Sequence, residues 1–113
     1  MSDTDTAGHA NEEYAEIPIP PPTFEFLVLS LKTQAEMHLG ILHFGEEKDR
    51  PAPEFSIARH TIDLLVMIQD KTRGNLNMDE QRLIENSVTE LRFRYVQALE
   101  ESKKPKSEAQ TQS

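Results

Sequence analysis

At 113 residues with no cysteine and no tryptophan, the chain has room for one small domain held by packing alone; disulfide frameworks, thiolate-bound metals and cysteine nucleophiles are excluded. A net charge of −8 repels phosphate backbones and anionic lipid, which argues against general nucleic-acid or membrane binding. The acidic start Met1-Ser2-Asp3-Thr4-Asp5 does not resemble a secretory signal, and no apolar run reaches the ~20 residues of a membrane span, so a soluble cytoplasmic protein is expected.

Residues 1–22 read as a disordered arm. They carry Asp3, Asp5, Glu12, Glu13 and Glu16 with no Lys or Arg, and end in Ile17-Pro18-Ile19-Pro20-Pro21-Pro22. Each proline fixes φ and removes an N–H, so the run favours polyproline II and suits a stiff spacer before the first helix.

The first helix is predicted from Thr23, a good N-cap, to about Leu42. At ~100° per residue, Phe24, Leu27, Val28, Leu31, Ala35, Leu39 and Leu42 form one stripe. Phe26, Leu29, Thr33, Met37, Ile41 and Phe44 form a second, nearly opposite. A helix apolar on two faces needs burial on two faces. Two further helices of this chain can cover one of them, and the other then needs a second copy or a different protein. Gly40 is a candidate stop, with Ile41 making the apolar contact that accompanies one.

His43 to Pro53 reads as a loop, because charges and two prolines oppose a regular element. The second helix is predicted from about Glu54 to Arg73, with Phe55, Ala58, Ile62, Leu65 and Gln69 at 3-4 spacing, flanked by Ile57, Leu64 and Ile68. Gly74 can turn left-handed to end it, and Lys71 and Arg73 suit the negative end of its dipole. Asn77 is a strong N-cap, and Glu80 three residues on completes a capping box. The third helix follows from Met78 to about Glu100, its stripe Ile84, Val88, Leu91, Tyr95 and Ala98. Residues 101–113 are rich in Lys, Ser and Gln and read as a disordered tail.

These elements predict an all-α domain over residues 23–100: helices two and three form an antiparallel hairpin, with helix one packed across it. On that frame sit Gln34-Ala35, His38-Leu39-Gly40, Ala58-Arg59-His60-Thr61-Ile62-Asp63-Leu64-Leu65, Lys71-Thr72-Arg73-Gly74-Asn75-Leu76 and Leu91-Arg92-Phe93-Arg94-Tyr95. In their order and spacing the chain resembles a small bacterial family known as a domain of unknown function, number eighteen forty-four. The resemblance runs from about Phe24 to Val96. It implies a short, soluble helical protein of bacterial origin, and transfers no activity, cofactor or site residue.

Three chemistries can be set against these residues. His60 with Asp63 could form half of a catalytic triad, but Ser30, Ser56 and Ser87 have no nucleophile elbow around them and no glycine-rich phosphate loop occurs. The chain is therefore expected not to be an enzyme, with no catalytic residues and no cofactor. A metal site could only combine His38, His43 and His60 across helices; the simpler expectation is a half-buried His60 held by Asp63. The Gly74-containing turn suggests a DNA-binding helix-turn-helix, yet its recognition helix would begin with Asp79 and Glu80, which repel phosphates. The leading expectation is a protein-interaction module. Its interface is Phe26, Leu29, Thr33, Met37, Ile41 and Phe44, and its partner is a second copy, giving a homodimer, or another protein.

Overall fold

The computed structural model describes residues 18–104. Three α-helices make the fold: α1 (Phe24–His38), α2 (Phe55–Lys71) and α3 (Met78–Ser102), with a short 3-10 turn at Glu47–Asp49 between the first two. Among the described residues there is no strand. Each pair of helices is in contact. The expected arm lies outside the described residues up to position 17, and the expected tail does so from position 105. Positions 101 and 102, expected in the tail, are the last turn of α3.

Local signals place the helix starts. The Thr23 side chain accepts a hydrogen bond from the Phe26 amide at 3.1 Å, which satisfies one of the free N–H groups of α1. At α3 both halves of the capping box form: Glu80 N–H donates to Asn77 Oδ1 at 2.8 Å and Asn77 N–H donates to Glu80 Oε1 at 2.9 Å. Glu54 caps α2 with its backbone, without a side-chain bond.

The helix ends differ from expectation in instructive ways. α1 stops at His38, four residues before Leu42, because Gly40 takes φ +77°. The Ile41 amide then reaches back to the Glu36 carbonyl at 3.1 Å and the Gly40 amide to Met37 at 3.0 Å, the paired bonds of a Schellman stop. α2 ends at Lys71, two residues before Arg73. Thr72 Oγ1 donates to the Ile68 carbonyl at 2.7 Å, and the chain turns through Gly74 at φ +86°, closed by Asn75 N–H donating to the Thr72 carbonyl at 2.8 Å. The prolines of the first loop did not preclude a 3-10 turn; Arg50 locks it, its guanidinium donating to Glu47 and to the Gly40 carbonyl.

The core is one cluster of Val28 and Ala35 from α1, Ile62 and Leu65 from α2, and Ile84, Val88 and Leu91 from α3. Ala35 and Ala58 are fully buried, and their small side chains let the helix backbones come close. Thr61, which breaks the apolar pattern of α2, is buried because its hydroxyl donates to the Ile57 carbonyl one turn back at 3.1 Å. Phe55 at the start of α2 meets Tyr95 late in α3 edge to face, centroids 5.7 Å apart, while Gln69 near the end of α2 lines one hollow with Gln81 and Glu85 early in α3. Those contacts give an antiparallel α2–α3 pair. α1 lies against both: Lys32 pairs with Glu90 of α3 at 3.1 Å, and the Glu54 amide donates to the His38 carbonyl at 2.7 Å.

Candidate functional site

The inner stripe of α1 is not uniformly buried. Val28, Ala35 and the capping Leu39 are buried, Phe24 and Leu31 partly so, but Leu27 is 45% exposed at the margin of that face. Opposite the core, Phe26, Leu29 and Met37 are 46%, 45% and 45% exposed, with Thr33 exposed between them. Phe26, Leu29, Ser30 and Thr33 line a shallow groove on this outer face. Four of the six residues expected to form the interface therefore share one helix face.

Ile41 and Phe44 do not share it. The left-handed turn at Gly40 ends the helical period before either is reached. Ile41 is swung into a different, half-buried hollow with Leu39, Pro53 and Ala98. Phe44 is exposed on the loop, away from any helical stripe. The helical stripe read from the spacing therefore ends at Met37.

The three histidines are not brought together. His38 Nδ1 lies 3.1 Å from Glu54 Oε1, bracing the junction of α1 and α2. His43 Nε2 donates to the Glu46 carbonyl at 3.1 Å inside the loop. His60 is exposed, not half-buried against Asp63 as expected. Among the described residues no group of three or more His, Asp or Glu is placed to hold a metal ion. At the start of α3, where a recognition helix would meet a phosphate backbone, Glu80 is occupied in the capping box and Asp79 stands exposed beside it. In the loop, the Arg50 guanidinium bonded to Glu47 holds that carboxyl below the usual carboxylate range, and Glu47 in turn raises the Arg50 pKa.

A second surface escaped the sequence reading. Arg59, Ile62 and Asp63 of α2 face Arg92, Tyr95 and Val96 of α3 across an open cleft of 320 Å³. Val96, next to the stripe residue Tyr95, is 54% exposed. Phe93, two residues from each of Leu91 and Tyr95 and so on the far side of α3, is 62% exposed; that offset was legible in the spacing.

The fold and these surfaces define a small three-helix protein in which, among the described residues, no helix is long and apolar enough to cross a membrane. Residues 21–97 match the family model described as Domain of unknown function (DUF1844), and the chain belongs to that family. The match takes in α1, α2 and most of α3. Comparison with curated proteins and with solved structures gave no match.

Proposed function

We propose that this protein is a non-enzymatic assembly module that forms a homodimer through the outer face of α1. One observation carries the reading: Phe26, Leu29 and Met37 are about half exposed on a helix whose opposite face already supplies Val28, Ala35 and Leu39 to the core. Apolar groups gathered on one exposed face lower the free energy of association when a partner removes them from water. The separation of His38, His43 and His60 and the engagement of Glu80 in capping give no support to a metal or DNA-binding reading.

The test is the solution mass of the full chain by light scattering after gel filtration, beside Met37→Glu. Met37 is on the outer face, so the substitution leaves the core intact and places a charge in the dimer contact, where desolvation opposes it. A dimer that becomes a folded monomer in the variant is the expected result. A monomer in the wild type at every concentration would overturn the homodimer reading.

A further inference from the structure

We propose that the cleft between α2 and α3 is the docking site for this chain's own acidic N-terminal segment, residues Glu12 to Glu16. The cleft is built from two walls, with one guanidinium on each: Arg59 from α2 and Arg92 from α3. Its floor is apolar, made by Ile62, Tyr95 and Val96, and the edge contact with Phe55 holds the Tyr95 ring in place. Asp63 is the third charged group on the rim, so two arginines against one aspartate leave it at +1. None of the ion pairs formed within the described residues uses either guanidinium. A surface that presents two cations around an apolar floor fits a peptide bearing carboxylates on either side of a hydrophobic group.

The chain carries such a peptide. Residues 1–17 hold five carboxylates and no Lys or Arg, in a protein whose net charge is −8. Docked in extended form, the segment would present Glu12, Tyr14 and Glu16 to one side, since alternate side chains of an extended chain share a side: two carboxylates flanking one ring. Those groups are the chemical complement of a lining that combines two arginines with Ile62, Tyr95 and Val96. The tether is long enough. The Lys32–Glu90 pair sets the start of α1 level with the first turns of α3, so Arg92 lies roughly 15 Å further along the axis at ~1.5 Å per residue. Residues 14–23 span up to ~30 Å when extended. Attachment to the same chain supplies a millimolar effective concentration, so contacts too weak to hold a free peptide suffice. The site is distinct from the outer face of α1 and does not depend on the homodimer reading.

Because the chain has no cysteine, Ala10→Cys gives a single attachment point for a nitroxide on the full-length protein. At low salt the label is expected to broaden the amide signals of Arg59, Ile62, Asp63, Arg92 and Val96 selectively. The broadening should fall several-fold at about 1 M salt, where the screening length is ~3 Å, and equally in Arg59→Glu/Arg92→Glu. Glu12→Gln/Glu16→Gln, which alters no described residue, should reproduce that loss. Broadening spread evenly over the surface, centred on Phe26 and Leu29, or retained in either variant would overturn the proposal. So would broadening seen only when a nitroxide-bearing chain is mixed with an isotope-labelled chain that lacks the nitroxide, since the segment would then belong to another copy.

Discussion

The two faces of α1 are made of similar residues and meet opposite fates. Val28, Ala35 and Leu39 are buried against α2 and α3, whereas Phe26, Leu29 and Met37, each larger than Ala and none more polar than Met, stand about half in water. Hydrophobicity alone does not separate them. The difference is where α2 and α3 lie, and those two helices are joined by their own short turn and capping box. The inner face therefore contributes to folding, and the outer face is left half in water.

The largest effect expected from this contrast is between two chemically identical truncations. Leu39→Ala removes a side chain 1% exposed and should lower unfolding stability by about 2–5 kcal/mol, whereas Leu29→Ala, 45% exposed, should cost no more than about 1 kcal/mol in the monomer. Denaturant melts at a concentration where the protein is monomeric check both. Equal losses would break the comparison.

Next in size is the glycine that ends both faces. Gly40→Ala forces a Cβ into φ +77° and within 3.1 Å of the Pro51 carbonyl, while the same Cβ at Gly74, φ +86°, meets nothing within 4 Å. Both substitutions carry the left-handed penalty of about 1–2 kcal/mol, and Gly40→Ala should lower the melting temperature further because the loop behind it must also shift. Asn77→Ala probes the frame that selects the inner face. It should cost about 1 kcal/mol through the lost cap, with no change in oligomeric mass.

The smallest effect is electrostatic. Glu47 is held below its ordinary pKa by Arg50, so its contribution to ordering the loop is complete above the ordinary carboxylate range and is lost as pH falls through the lowered value. Carboxyl chemical shifts should show Glu47 titrating below that range in the wild type and within it in Arg50→Gln. Both side chains are at the surface, so global stability at neutral pH should hardly move.

What the sequence determined by itself was everything set within a few residues: three helices, the Thr23 cap, the Asn77–Glu80 box, the left-handed glycine at 74, and a first helix apolar on two sides. These follow from local sterics and from hydrogen bonds that close within one turn, which a linear reading can count. The sequence could not say that the period stops at His38, because whether Gly40 ends a helix or permits a close approach depends on Pro51 behind it. Nor could it bring Arg59 beside Arg92 or expose Val96, since those placements depend on how α2 and α3 cross. Only the tertiary structure chose which face of α1 turns inward, because burial depends on the neighbours a side chain acquires and not on the side chain alone.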